Sequence, residues 1–177
     1  MSTAAIVAMT PEPEAAVWFA LQTRYRFEKK VAAQLSSKGM EVFLPLRTEN
    51  REWNDRRKLV TVPLFPGYAF VRSARSLALR LLVLQTAGVM GFVSLAGTAA
   101  IVPHKQIEDL RLLLEQSVPF SLCPFLKAGQ RVRIRGGCLQ GLEGLRTDRD
   151  EGKLVISIES IQRSLAIELQ GHEVEFI

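Results

Sequence analysis

The periodicity of the chain changes once, at the segment SVPFSLCPF that begins at Ser117, and this change constrains the fold more than any other feature. Before it, helical and strand patterns interleave; after it, every pattern is a strand. Pro119 and Pro124 interrupt either period, so residues 118–125 read as a linker between two domains. Beyond the linker QRVRIR alternates, GGCLQGLEG supplies turns, KLVISI alternates again, and SLAIEL and HEVEFI close the series. Short alternating runs at this spacing predict a small barrel over residues 126–177.

The first half predicts an α+β domain over residues 17–117, an antiparallel sheet flanked by helices. VWFALQT is an apolar run of strand length. In FEKKVAAQLSSKG, Phe27, Val31 and Leu35 recur at i, i+4 and i+8, which predicts a helix ended by Gly39. EVFLPL predicts a second strand. RTENREWNDRRK is too polar for a core and reads as a hairpin loop or an extended strand pair. LVTVPL re-enters the sheet, FPG turns, and YAFVR leaves. SLALRLLVLQ predicts a helix stopped by Gly88, VMGFVS and GTAAIV predict strands about Gly97, and Pro103 opens a helix running to about Gln116. Residues 1–16 lack the basic start and apolar core of a signal peptide and read as a loose tail.

Catalysis has no visible machinery. His104 and His172 are far apart and neither has a nucleophile or carboxylate constellation around it. Cys123 and Cys138 form no CxxC pair, so neither a disulfide framework nor a metal site is expected, and no cofactor is implied. No run approaches the ~18 apolar residues of a membrane span, and a cytoplasmic monomer is the expectation. Net charge is +5, but it is unevenly divided: residues 17–117 carry 15 Lys/Arg against 8 Asp/Glu, while residues 126–177 carry 8 against 8. The positive half is the one expected to face phosphates or an acidic partner.

The residues Gly129, Val132, Ile134, Gly137, Gly141 and Gly144 give the spacing of the KOW motif of SH3-like barrels, which the segment resembles. Val132 and Ile134 are expected to point inward, and the glycines to permit turns or close approaches. With WFALQT, FEKK, PLFPGYAFV and GVMGFV ahead of it in that order, the chain resembles the NusG family of transcription elongation and antitermination factors from Trp18 onward. The resemblance implies a non-enzymatic protein whose N-terminal domain binds the clamp helices of the largest catalytic subunit of RNA polymerase. Carried onto this chain, it makes Phe65, Tyr68 and Phe70 the anchors, with Pro66 and Gly67 shaping the turn. The alternative is that Tyr68 and Phe70, two apart on a strand, fill the domain's own core. For the barrel the resemblance implies ribosomal protein S10 or the termination factor Rho as partner. The competing reading is a ribosome-associated protein that uses the barrel directly on RNA.

Arg24, Arg26, Lys29, Lys30 and Lys38 are candidates for contacts to upstream or non-template DNA at the transcription bubble, or else a solvated helix face. Trp53, Arg56 and Arg57, in REWNDRRK, add a cationic hairpin with an aromatic that stacks on a base or packs under its own hairpin. That W-x-D-R-x-K pattern resembles the specialised paralogues of the UpxY, LoaP and RfaH type, dedicated to particular operons. Two departures stand out: the family's Gly-Pro-Phe is here Gly137-Cys138-Leu139, with Leu142 at the second aromatic place, and its Phe-Gly-Arg is Ile161-Gln162-Arg163. Leu154, Ile158, Ile161, Leu165 and Leu169 also recur at helical steps, so the barrel sequence satisfies two periods.

Overall fold

The computed structural model describes residues 15–53, 56–147, 152–169 and 171–177, so the tail assigned to 1–16 lies outside the described residues up to residue 14. β1 (Val17–Thr23) leads into α1 (Glu28–Ser37), followed by β2 (Glu41–Phe43), β3 (Leu46–Trp53), β4 (Arg56–Pro63), β5 (Tyr68–Ser73) and α2 (Leu77–Leu84). Then come β6 (Val89–Phe92), β7 (Ser94–Leu95), β8 (Thr98–Ala99), β9 (Ile101–Val102) and α3 (His104–Glu115). The main sheet runs β2-β5-β1-β6, with β9 also pairing to β1, all antiparallel.

Both faces of this sheet are covered, which is why β1 and β5 read as continuous apolar runs instead of alternating ones. On one face Phe19, Leu21 and Val71 pack with Val31 and Leu35 of α1 and Val83 of α2. On the other, Trp18, Ala20 and Phe70 share a core with Ile107, Leu110 and Leu113 of α3. Each such large side chain contributes about 1.5–3 kcal/mol on full burial.

EVFLPL does not form one strand. Pro45 has no N–H for a ladder, so the chain turns there: its carbonyl accepts the Leu64 N–H at 2.8 Å, and Leu46 restarts in a separate ladder. RTENREWNDRRK is the strand pair, with β3 and β4 in register from Leu46↔Pro63 to Trp53↔Arg56.

The C-terminal region is a six-stranded antiparallel sheet in the order β10-β14-β13-β12-β11-β15. Its strands are β10 (Phe120–Cys123), β11 (Gln130–Ile134), β12 (Glu143–Arg146), β13 (Lys153–Ile158), β14 (Arg163–Glu168) and β15 (Val174–Phe176). Residues 118–125, read from sequence as a linker, therefore contain an edge strand paired from Phe120↔Ile167 to Cys123↔Ser164. The stretch that satisfied two periods is strand, 3-10 turn, strand: β13, Glu159–Ile161, β14. Leu154, Ile156, Ile158, Leu165 and Ile167 fill its core with Val132 and Ile134. The other face of β13 and β14 is covered by the chain at Leu126, whose N–H donates to Ser164 Oγ and whose carbonyl accepts from Ser157 Oγ.

The two regions meet at α3. Lys105 Nζ donates to the Gly141 carbonyl at 2.8 Å and pairs with Asp109, which also accepts the Glu143 N–H. Asp109 is buried; desolvation raises its pKa, against the lowering effect of Lys105.

Candidate functional site

The FPG turn is clamped from two sides. Gly67, at φ +83°, donates its N–H to Glu28 Oε1 at 2.7 Å and accepts the Thr23 N–H at 2.8 Å on its carbonyl. Glu28 is only 2 % exposed although it opens a helix between Phe27 and two lysines. Sequence reasoning assigned it no role. The available signal was a single carboxylate among cations at a helix start, where the helix dipole favours negative charge.

The three expected anchors, Phe65, Tyr68 and Phe70, and the turn residue Pro66 separate by depth. Phe65 and Phe70 are interior, and Phe70 stacks on Phe43 with ring centroids 6.1 Å apart. Tyr68 is half-buried and Pro66 exposed. The cause is topological: β5 lies between β1 and β2, and α3 covers the Phe70 face. The surface that this turn offers is therefore Pro66 and Tyr68, with Phe65 and Phe70 as the packing beneath it.

An ion-pair chain holds α3 on that face. Arg111 places its guanidinium 5.2 Å from the Trp18 ring centroid and 5.1 Å from that of Phe43, and pairs with Glu41, which also pairs with Arg72 of β5. Desolvation raises the Glu41 pKa, but hydrogen bonds and charge from Arg72 and Arg111 outweigh it and leave the group below its ordinary range. Trp18 Nε1 donates to His104 Nδ1 at 3.1 Å, fixing the start of α3.

The cations expected on one helix face are not brought together, because successive helical residues point about 100° apart. Lys29 donates to the Thr61 carbonyl of β4 at 2.6 Å, and Lys38 to Thr86 Oγ1 at 2.7 Å beyond α2. Lys30 lies over the Phe27 ring, while Arg24 and Arg26 project with an exposed Tyr25 between them. Arg57 is exposed and pairs with Glu52 at 3.5 Å; the side chains of Trp53 and Arg56 lie outside the described residues.

In the C-terminal sheet Val132 and Ile134 are buried, and the two kinds of glycine are distinct. Gly137 and Gly141 sit at φ +77° and +86°, whereas a Cβ on Gly129 would meet the Arg146 carbonyl at 2.8 Å and one on Gly144 would meet Leu154 Cγ at 2.7 Å and the Val155 carbonyl at 2.8 Å. Leu139, Leu142 and Ile161 are buried, so the departures from the family pattern keep an apolar interior. Gln162 takes the left-handed conformation, φ +53°, with its side-chain amide donating to the Glu159 carbonyl at 2.7 Å. Arg131, Arg133 and Arg135 line β11 and its end, but Glu143 and Glu175 pair with them. The hydrogen bond from Arg133 holds the Glu143 carboxyl below its ordinary range.

A family model described as "Transcription termination factor nusG" matches residues 16–111, more than half of the chain. The chain belongs to the NusG family. It is 28% identical over 175 residues to the transcription termination/antitermination protein NusG of Lactococcus lactis subsp. lactis, covering 90% of this chain and 92% of that protein. It is 25% identical over 180 residues to NusG of Staphylococcus aureus, covering 94% and 99%. The solved structure described as "Domain interaction in Thermotoga maritima NusG" shares the fold at a TM-score of 0.51 and 22% identity, covering 92% of this chain and 97% of that one. These relatives are general NusG proteins, not specialised paralogues. NusG-family factors are non-enzymatic transcription factors. Among the described residues no helix is long and apolar enough to cross a membrane.

Proposed function

We propose that the N-terminal domain, residues 17–117, docks on the clamp helices of RNA polymerase through the surface around Pro66 and Tyr68, and so modulates pausing or termination. One observation carries this reading: the FPG turn of a NusG-family domain is held rigidly by Glu28 and Thr23 and presents an exposed Pro66 beside a half-buried Tyr68. A rigid aromatic on a fixed turn buries area at little entropic cost. The factor acts by binding the closed clamp better than the open one, since a ligand shifts an equilibrium only through differential affinity.

Arg24, Arg26 and Lys30 extend the surface towards upstream or non-template DNA, and the hairpin carrying Trp53, Arg56 and Arg57 supports a role at a specialised operon. Residues 126–177, with β10 from the segment 118–125 paired into their sheet, engage a second partner such as ribosomal protein S10 or Rho, whose effective concentration rises once the N-terminal domain is docked on the polymerase. The pairing of the β11 arginines with Glu143 and Glu175, on a region of zero net charge, disfavours direct RNA binding by the barrel.

A pull-down of core RNA polymerase with Tyr68→Ala and Pro66→Asp tests the surface. A central anchor costs about 2 kcal/mol or more, roughly a 30-fold loss of affinity. Parent-like binding by both variants would remove this surface.

A further inference from the structure

The helix α2, LALRLLVL, is apolar around its whole circumference apart from Arg80, a composition expected of a helix covered on every side. The domain covers one side. Val83 is buried in the cluster of Phe19, Leu21 and Val71, while Leu77, Leu81 and Leu84 are 72%, 47% and 44% exposed. At about 100° per residue these three leucines fall within roughly 60° of one another, one apolar stripe along the outer face. A contiguous stripe of this kind marks an interaction surface, where leucines exposed singly would not.

We propose that the stripe is the docking site of the chain's own N-terminal segment, with the apolar run Ala4-Ala5-Ile6-Val7-Ala8-Met9 laid against Leu77, Leu81 and Leu84.

Three observations favour this occupant. The first is place. β1 begins at Val17, which pairs with Ser73 at the end of β5, and α2 starts four residues later at Leu77. Val17 also packs against the apolar cluster that contains Val83, so the chain ahead of β1 enters the domain on the α2 side of the sheet. The second is reach. The step from Ser73 to Leu77 covers at most about 14 Å and α2 is about 12 Å long, while residues 10–16 span up to about 24 Å when extended, enough to bring residues 4–9 onto the stripe.

The third is charge. Arg75, just ahead of α2, and Arg80, on it, are exposed, and neither is in an ion pair among the described residues; Arg80 lies 5.5 Å from the Phe92 ring centroid. Glu12 and Glu14 are the only charged side chains in residues 1–14. The order also matches. Outward from the Val17–Ser73 pair the segment offers acids and then apolar residues, and the α2 side offers Arg75 and then the leucines. A second copy packed stripe on stripe would cover the leucines but bring no acid for the arginines, since residues 74–88 contain none.

The test is methyl NMR on the full-length chain labelled at Ile, Leu and Val methyls. Cross-relaxation between the Ile6 or Val7 methyls and those of Leu77 or Leu81 is expected in the parent. Ile6→Asp combined with Val7→Asp should abolish it and shift the Leu77, Leu81 and Leu84 signals, leaving those of Val132 and Ile134 unmoved. Leu81→Lys should release the segment in the same way, with Val83 keeping α2 on the sheet and the amide signals of β1 and β5 verifying the fold. Glu12→Gln combined with Glu14→Gln should lower the docked-to-free ratio about 1.4- to 5-fold per ion pair at low salt, and change little at ~1 M salt. Absence of cross-relaxation in the parent overturns the proposal. So do leucine signals that the Ile6→Asp, Val7→Asp chain leaves unmoved. A sample mixed from differently labelled chains supplies the last arm: cross-relaxation between chains assigns the stripe to a second copy and overturns docking within one chain.

Discussion

Replacing Glu28 by alanine is expected to loosen the FPG turn and destabilise the N-terminal domain together. The carboxylate is 2 % exposed and its Oε1 accepts the Gly67 N–H at 2.7 Å, a charge-assisted bond to backbone. Such bonds contribute about 1.5–3 kcal/mol, and their loss leaves a buried N–H whose desolvation is uncompensated. A loss of ~2–3 kcal/mol follows for Glu28→Ala. Glu28→Gln keeps the acceptor and the volume but not the charge, so its loss should be about half as large, ~1 kcal/mol. For a chain of this size each kcal/mol corresponds to roughly 2–4 °C in Tm, so the alanine variant should melt about 4–12 °C below the parent. Urea denaturation with a common m-value supplies the free energies, and amide exchange at Gly67 and Tyr68 reports the turn itself. An alanine variant within ~0.5 kcal/mol of the parent, with Gly67 still protected, would refute the reasoning, because the turn would then be held by Thr23 alone.

Three further outcomes follow from the geometry. Phe70→Ala should cost about 3–5 kcal/mol in urea unfolding whereas Tyr68→Ala costs clearly less, since only the first empties an interior position. Gly144→Ala should destabilise the C-terminal sheet by about 1–3 kcal/mol, checked by melting, because the added Cβ meets the Val155 carbonyl, which cannot rotate away. Asp109→Asn should remove a pH dependence. A raised folded-state pKa makes the group's contribution fully present below the ordinary aspartate range and lost as pH rises through the raised value, so the parent loses stability over that interval and the variant does not. Lys105 and Glu143 face the group in both proteins, so an identical pH profile for parent and variant would exclude Asp109 as the source.

Much of the architecture was legible in the chain because local physics specifies it. Val31 and Leu35 at helical spacing define the buried side of α1, and Pro103 marks the start of α3. The alternation of QRVRIR places Val132 and Ile134 inside whatever the rest of the sheet does. The site was legible only as a linear string. Nothing in FPGYAF distinguishes Phe70 from Tyr68, since both lie on the same strand face; α3, contributed from more than thirty residues further on, covers the first and leaves the second half-open. The cations of α1 looked equivalent in sequence, yet Lys29 and Lys38 are drawn to backbone and hydroxyl acceptors on β4 and beyond α2.

The sequence by itself determined the two-part plan, at the point where a mixed helix and strand pattern gives way to strands alone, because periodicity and proline act within a few residues. Only the tertiary structure decided that the presumed linker supplies β10 and that Glu28 clamps the turn. Those facts depend on groups distant in the chain, where burial and hydrogen bonding are properties of the packed whole and leave no local pattern to read.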